Sequence, residues 1–157
     1  MLVSELAFAV NFDVDGYTDS ELIEIRNIIG LKLADSKKGD VLYEDDNISI
    51  SYLGWKKEYS ETSLWVTVFN KTDVNLMVAG RNTSINECSV DCSSAFTVLA
   101  GKRTNNYILS IYDWTLEEQW IEGIEYVEFE VVYYDDDDWD GLSVDVSKKF
   151  VIEYVEQ

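Results

Sequence analysis

The sequence lacks histidine and proline, and it carries few basic side chains. Among its 157 residues there is no His and no Pro, and 12 Lys or Arg stand against 31 Asp or Glu, a formal charge of −19. Without histidine, Ser-His and Cys-His catalysis and His-ligated zinc are excluded. The scarcity of cations argues against direct nucleic-acid binding, because phosphate contacts need clustered Lys and Arg.

Long apolar runs are missing as well. No stretch approaches the roughly 18 apolar residues that a membrane span needs. The N-terminus carries Glu5 and has no Lys or Arg before its apolar residues, a pattern unlike a secretion signal. We therefore expect a cytoplasmic protein with no membrane contact, or an extracellular one if a leader has been removed. A hydrophobic share of 46% indicates a folded domain rather than a solvated acidic tail.

Cysteine is scarce, and its two copies lie close together in the sequence. Cys88 and Cys92 would be roughly 13 Å apart on an extended strand, too far for a disulfide without an intervening turn. A zinc site would need two more ligands, which the sequence does not supply in a second Cys pair or in His. We interpret the pair as two small, partly buried thiols, and we expect no cofactor.

Residues 1–40 are predicted to form a strand-turn-helix segment that precedes the main domain. Thr18 suits an N-cap, and Glu21 three residues later completes a capping box. The apolar residues that follow recur at helical spacing and predict one α-helix over about 18–36: Leu22, Ile25, Ile29 and Leu33.

Residues 41–157 are predicted to be mostly β. The segments 47–53 and 64–69 alternate apolar and polar residues, while 124–134 and 144–155 have the lengths of a long strand pair flanking an acidic loop. Shorter strands are predicted at 76–79, 83–85, 88–91, 95–99 and 106–112. Short strands with turn residues between them indicate an antiparallel β-sandwich.

Five segments of this domain resemble a known module in their turn and strand chemistry: Leu42–Ile48, Asn70–Asp73, Ser84–Asn86, Ala100–Lys102 and Ile124–Phe129. Together they resemble the immunoglobulin-like β-sandwich module repeated in many lipoproteins and surface proteins of gut Firmicutes. The resemblance implies an immunoglobulin-like β-sandwich over about residues 41–157. It also implies an extracellular or lipoprotein-derived domain for adhesion or ligand binding, which we keep as the alternative function.

Acidic residues are concentrated in the second half of the chain. Residues 104–147 contain thirteen Asp or Glu and no Lys or Arg. On a strand, Glu128 and Glu130 would share one face roughly 6.7 Å apart, with Asp135, Asp136, Asp137, Asp138 and Asp140 in the loop beyond. Such carboxylates can occupy the positions at which a basic groove binds backbone phosphates. The alternative interpretation is an ordinary solvated face plus an acidic loop.

Aromatic residues interleave with these acids. Trp114, Trp120 and Trp139 lie in acidic, non-alternating stretches, where large aromatic side chains can act as interface anchors. We therefore expect a non-enzymatic binding or inhibitor protein that occupies a basic, nucleic-acid-binding surface of another protein. In charge and size it is similar to the nucleic-acid mimics that phages use against restriction or CRISPR nucleases.

A partial calcium motif lies in the same loop. Asp136, Asp138, Asp140 and Gly141 match the first half of an EF-hand loop, but Ser147 stands where the closing Glu belongs. The same half-match recurs near the N-terminus, with Leu22 at the closing position: Asn11, Asp13, Asp15 and Gly16. We predict no complete metal site and keep Asp136, Asp138 and Asp140 as a weak calcium candidate.

Overall fold

The computed structural model describes Thr18, Glu21, residues 39–138 and residues 140–156. Within this part, the strands and the helix of residues 39–156 are β1 Val41–Glu44, β2 Ile48–Glu58, β3 Glu61–Asn70, β4 Leu76–Ile85, β5 Cys88–Ser89, β6 Ala95–Val98, β7 Arg103–Tyr112, α1 Asp113–Glu118, β8 Tyr126–Asp135 and β9 Ser143–Glu153. No helix in the described part is both long enough and apolar enough to cross a membrane.

The strands form two antiparallel sheets. The first has the order β1-β2-β3-β7, and the second has the order β5-β4-β8-β9, with β6 pairing with β4 as well. The chain passes from the first sheet to the second between β3 and β4, returns at β7, and passes over again to β8. This Greek-key order is that of an immunoglobulin-like β-sandwich, so the predicted fold class is confirmed.

The core lies between the two sheets and follows the period of two that strands impose. In β8, Val127, Phe129 and Val131 are buried, while the residues between them are partly exposed. Phe129 stacks on Phe150 of β9, with ring centroids 5.2 Å apart. Glu128 and Glu130, predicted to share one face, therefore lie on the side of β8 that faces away from the core.

A β-bulge in β2 changes which residues face the core. The register with β3 shifts between Tyr52 and Gly54, and Gly54 has a φ of 128°. Glycine adopts such a φ without the steric cost that other residues incur. The extra residue turns Trp55 inward, where its Nε1 donates a hydrogen bond of 2.7 Å to the carbonyl oxygen of Glu153. Trp55 thereby ties the first sheet to the last strand of the second.

Two of the short predicted strands are one strand in the structure. The sequence predicts segments 76–79 and 83–85 as separate strands, and polar residues lie between them. In β4 the backbone pairing with β8 continues across this point, with an irregularity between Arg81 and Ser84. Arg81 lies on the outer face, where it pairs with Glu130 of β8, and a polar residue there does not end the strand.

The predicted N-terminal helix falls almost entirely outside the described residues. Its predicted capping box is present: the backbone nitrogen of Thr18 donates to Glu21 Oε2 at 2.8 Å, and that of Glu21 donates to Thr18 Oγ1 at 3.3 Å. The Glu21 carboxylate accepts hydrogen bonds from the backbone nitrogen and from the hydroxyl of Thr18, and these bonds lower the pKa of the carboxyl because they stabilise its charged form. The rest of the helix predicted over 18–36, and the remainder of segment 1–40, lie outside the described residues apart from Gly39 and Asp40.

The two cysteines are free thiols, as predicted. Cys88 is partly exposed and Cys92 is buried. Burial raises the pKa of the Cys92 thiol, because the thiolate would lose its hydration. Cys92 therefore behaves as a small core residue.

Gly80 allows a close approach between the sheets. A Cβ at this position of β4 would lie 3.0 Å from the carbonyl oxygen of Ile108 and 3.4 Å from its Cγ1. We expect Gly80→Val to lower the free energy of unfolding by about 1–3 kcal/mol, because the added methyl groups overpack this contact. Urea denaturation measures the change. The neighbouring Ala79→Val, at a partly exposed position, should stay within about 0.5 kcal/mol, and equal losses for both variants would contradict the explanation.

Candidate functional site

Four connections meet at one end of the sandwich, which we call the acidic loop end: residues 44–47, 71–75, 99–103 and 135–142. Backbone hydrogen bonds join them to one another. The nitrogen of Lys71 donates to the carbonyl of Asn47 at 2.8 Å, that of Asp136 to Asn75 at 2.9 Å, and that of Gly101 to Thr72 at 3.1 Å. The acidic loop between β8 and β9 is thus bonded to the 71–75 connection, which is bonded in turn to the other two.

Asp45 anchors this end to the core. Its Oδ2 accepts hydrogen bonds from the hydroxyls of Tyr133 at 2.5 Å and Tyr43 at 2.8 Å, and its Oδ1 accepts from the backbone nitrogens of Asn47 and Ile48, both at 2.7 Å. Tyr133 is fully buried in β8 of the opposite sheet. The carboxylate therefore connects the β1–β2 turn of one sheet to the strand that leads into the acidic loop.

The pKa of Asp45 reflects this environment. Burial by itself would raise the pKa of the carboxyl, but the four hydrogen bonds stabilise the charged form, and the pKa lies below its usual value. Burial, followed by the hydrogen bond to Asp45, raises the pKa of the Tyr133 hydroxyl. Both groups are held in the protonation states that favour the bond between them.

Local turn chemistry explains the acidic loop. Asp135 Oδ1 accepts a hydrogen bond from the backbone nitrogen of Asp137 at 2.9 Å, and Asp138 Oδ1 accepts from that of Asp140 at 3.1 Å. These are Asx turns, the usual role of Asp in tight connections. A Cβ on Gly141 would lie 3.0 Å from the carbonyl oxygen of Asp138, so the glycine allows the chain to close the loop.

The weak calcium candidate is not assembled as a metal site. Within the described residues, no three Asp, Glu or Cys side chains are close enough together to hold a metal ion. Asp136 Oδ2 instead accepts a hydrogen bond from Thr97 Oγ1 at 2.8 Å. The second half-match, at residues 11–16, lies outside the described residues.

We expect calcium to leave the stability unchanged. The melting temperature in excess calcium should equal that in a chelator, because Asp136, Asp138 and Asp140 already serve as turn acceptors or lie in solvent. Differential scanning calorimetry measures this. A melting temperature several degrees higher in calcium would contradict the assignment of these residues to turn chemistry.

The tip of the acidic loop end carries unpaired charge. Asp137, Asp138 and Asp140 are exposed, as are Asp46 and Asp73 on the adjoining turns, and no Lys or Arg of the described chain forms an ion pair with any of them. The four connections together hold nine acidic side chains and three basic ones. One of those cations, Lys71, already pairs with Glu44 at 2.6 Å. The result is a compact anionic surface on a fixed backbone.

Glu128 and Glu130 differ from the prediction in their surroundings. They share the outer face of β8 as expected, but their side chains are only 14% and 26% exposed. Glu128 accepts from Ser84 and pairs with Lys149 at 3.4 Å, and Glu130 accepts from Asn82 and pairs with Arg81 at 3.3 Å. Sequence spacing placed the two acids on one face, but it could not show that cations from neighbouring strands partly neutralise them.

Trp114 lies far from the acidic loop. It belongs to α1, which follows β7 at the end of the sandwich opposite to Asp135. The ten residues of β8 separate the two ends by roughly 30 Å. The residues predicted to form one contact surface are therefore divided in two, with Trp114 at one end of the sandwich and Asp135–Asp138 at the other. Trp139 lies outside the described residues.

The opposite end, which we call the helix end, consists of residues 58–61, 86–91, 112–125 and 153–156. These segments contain eleven acidic residues and no Lys or Arg, and two of the acids pair with lysines of β2: Glu58 with Lys56 and Asp113 with Lys57. Exposed aromatic side chains accompany Trp114 there: Tyr59, Tyr112 and Trp120. Tyr59 and Tyr112 were not among the predicted site residues, although the position of Tyr59 in a charged hairpin turn is itself a sign of exposure.

No protein-family model and no curated protein matches the chain. Similar solved structures include the GAE domain of yeast GGA1 (TM-score 0.39, 13% identity, 75% of this chain and 100% of that one). They also include the GAE domain of GGA2p from Saccharomyces cerevisiae (TM-score 0.39, 10% identity, 74% of this chain and 96% of that one). A third is a FixG-related protein from Vibrio parahaemolyticus (TM-score 0.38, 14% identity, 69% of this chain and 98% of that one). The immunoglobulin-like architecture thus rests on the strand order of the chain itself.

Proposed function

We propose that the protein is a non-enzymatic acidic binding protein whose acidic loop end occupies a basic, nucleic-acid-binding surface of a partner protein. The observation that carries this proposal is the set of exposed, unpaired carboxylates of Asp137, Asp138 and Asp140 on an anchored loop. Asp46 and Asp73 extend the same anionic surface.

Preorganisation supports this role. Asx turns and the backbone bond between Asp136 and Asn75 hold the loop, so little conformational entropy is lost when it binds. A fixed array of carboxylates can replace backbone phosphates against Lys and Arg side chains, because each is an anionic oxygen acceptor for the same donors. Long-range attraction between the charge of −19 and a basic partner would accelerate association.

The predicted contact residues have different weights in this mechanism. Asp135, Asp136 and Asp138 shape the loop through the hydrogen bonds they accept, and the three exposed aspartates, Asp138 among them, present the charge. Glu128 and Glu130 contribute less, because Lys149 and Arg81 compensate their charges. Trp139, between Asp138 and Asp140 in the sequence, is the aromatic anchor we assign to this surface. The specific biology we infer is intracellular inhibition of a nuclease, of the anti-restriction or anti-CRISPR kind.

Affinity capture tests the proposal. The immobilised protein is exposed to a lysate of its own cell type at low and at high salt, and the retained proteins are identified. We expect nucleic-acid-binding proteins to be retained at low salt and released at high salt, since screening weakens interactions between exposed charges. Retention of no such protein at low salt would overturn the proposal.

A second candidate function is that of an extracellular immunoglobulin-like adhesion or ligand-binding domain of the kind found in Firmicutes lipoproteins. It is favoured by the loop arrangement, because the β3–β4 and β8–β9 loops share one end, as the ligand-binding loops of antibody variable domains do. Cell fractionation separates the two functions. Recovery on the cell surface would favour the adhesion domain, and recovery in the cytoplasm would favour the inhibitor.

A further inference from the structure

The helix end presents large aromatic side chains directly to solvent. The exposed fraction is 93% for Trp120, 56% for Trp114 and 102% for Tyr59. Tyr112 and Trp114 stack, with ring centroids 6.0 Å apart and planes 18° apart. Exposed aromatic rings of this size that gather at one place mark interaction surfaces far more often than scattered apolar residues do.

Backbone geometry brings these rings to the same end. The backbone nitrogen of Asp113 donates to the carbonyl of Ser60 at 2.8 Å, which fixes the Tyr59–Ser60 turn against the start of α1. Lys57 Nζ reinforces this contact by binding Asp113 Oδ1 at 2.5 Å. Trp120 follows the C-terminus of α1, two residues beyond Glu118.

Two of the aromatic residues occupy strained backbone. Trp120 has a φ of 57° and Tyr59 a φ of 50°, in the left-handed region that bulky residues seldom adopt. Strain of this kind persists where the surroundings impose it, and it is found preferentially at functional sites. Neither ring gains burial in exchange for this strain, since both are almost completely exposed.

The charge of the helix end specifies the chemistry of a partner. Glu117, Glu118 and Glu122 are exposed around Trp114 and Trp120 in the sequence, and no cation of the described chain forms an ion pair with them. Aromatic anchors inside an anionic rim complement a segment that alternates basic and apolar residues, because guanidinium groups stack on aromatic faces and also bind carboxylates. A neutral oligosaccharide could stack on the aromatic rings, but it has no positive charge with which to bind the surrounding carboxylates.

We propose that the helix end is a second docking surface, which binds a Lys/Arg-rich peptide segment of a partner protein through Trp114, Trp120 and Tyr59. This surface is independent of the acidic loop end, roughly 30 Å away along β8. The protein can therefore engage two basic sites at once, and the second contact would strengthen the first through effective concentration.

Calorimetric titration with a synthetic peptide that alternates arginine and leucine tests this inference. Trp120→Gly removes one aromatic ring, and glycine adopts the left-handed φ of this position without steric cost. The melting temperature of this variant should therefore equal or exceed that of the wild type. We expect the double variant Trp114→Ala/Trp120→Gly to weaken peptide binding at least tenfold. The variant Glu117→Gln/Glu118→Gln/Glu122→Gln should weaken it as well and should reduce its salt dependence.

The control is Asp137→Asn/Asp138→Asn/Asp140→Asn, which changes the net charge equally but at the acidic loop end. Its affinity for the arginine-leucine peptide should stay within about twofold of the wild type. Equal binding by wild type and the double tryptophan variant would overturn the inference. The inference would also be overturned if a glutamate-leucine peptide bound as tightly as the arginine-leucine peptide. The same holds if a neutral oligosaccharide bound in a tryptophan-dependent way while the basic peptide did not bind. These results leave the proposal for the acidic loop end untouched, because that surface is tested with other variants.

Discussion

Asp45→Ala should lower the free energy of unfolding by about 2–4 kcal/mol, the largest loss we expect from any single polar substitution. The change removes the acceptor of four hydrogen bonds and leaves the hydroxyl of Tyr133 without its carboxylate partner. A buried donor without an acceptor costs about 1–3 kcal/mol, and bonds to a charged group are stronger than neutral ones. Urea denaturation followed by tryptophan fluorescence measures the loss.

Asp46→Ala is the matched control, because it removes the same charge from the next residue, which is exposed. It should change the free energy of unfolding by no more than about 0.5 kcal/mol. Tyr133→Phe should lie between the two, at about 1–2 kcal/mol, since the ring remains and only the hydroxyl is lost. If Asp45→Ala were as stable as Asp46→Ala, Asp45 would not anchor the acidic loop end.

The pH dependence has a definite sign. The pKa of Asp45 is lower in the folded protein than in the unfolded chain, so its stabilisation is fully present above the unfolded pKa of about 4. That stabilisation is lost as the pH falls below this value and the carboxyl becomes protonated. The difference in stability between wild type and Asp45→Ala should therefore be constant near neutral pH and should shrink in acid.

The second large effect concerns binding. We expect Asp137→Asn/Asp138→Asn/Asp140→Asn to weaken the interaction with the basic partner about tenfold to a hundredfold, because each exposed ion pair contributes modestly and three are removed. Most of the change should appear as slower association, since rim charges act mainly through electrostatic steering. Surface plasmon resonance at several salt concentrations separates the two rates. Folding should be unaffected, because the three side chains are exposed and Asp138→Asn keeps the Oδ1 that accepts the Asx-turn bond.

Glu117→Gln/Glu118→Gln/Glu122→Gln provides the comparison, since it changes the net charge by the same amount at the other end of the sandwich. It should reduce the association rate with the partner of the acidic loop end only slightly. If both triple variants weakened binding equally, net charge rather than the acidic loop would drive the interaction.

The strands were predictable wherever burial repeats every second residue. The pair formed by β8 and β9 is such a case, because Val127, Phe129 and Val131 alternate with polar residues. The extension of β2 to Glu58 was missed, since Lys56, Lys57 and Glu58 resemble a turn. The hairpin with β3 keeps them in strand conformation, as Glu58 pairs with Glu61. Cross-strand pairing of this kind overrides local preference.

The sequence was enough to predict the acidic composition of the candidate site, but only part of its spatial arrangement. The unpaired aspartates of the loop follow from a long stretch without cations. The contact between Asp45 and Tyr133 joins residues 88 positions apart, and no local pattern signals it. The pairing of Glu130 with Arg81 likewise depends on which strands are neighbours. The division of the acidic segment between two ends becomes visible only when β8 is seen to run the length of the sandwich.

Competition with nucleic acid tests most directly whether the acidic loop end occupies a surface of the partner that binds phosphates. A labelled DNA or RNA bound to the captured partner is titrated with the wild-type protein and with Asp137→Asn/Asp138→Asn/Asp140→Asn, and fluorescence anisotropy reports the bound fraction. We expect the wild type to displace the nucleic acid and the variant to need at least tenfold more protein for the same displacement. A ternary complex that retains the nucleic acid, or equal displacement by both proteins, would contradict this expectation.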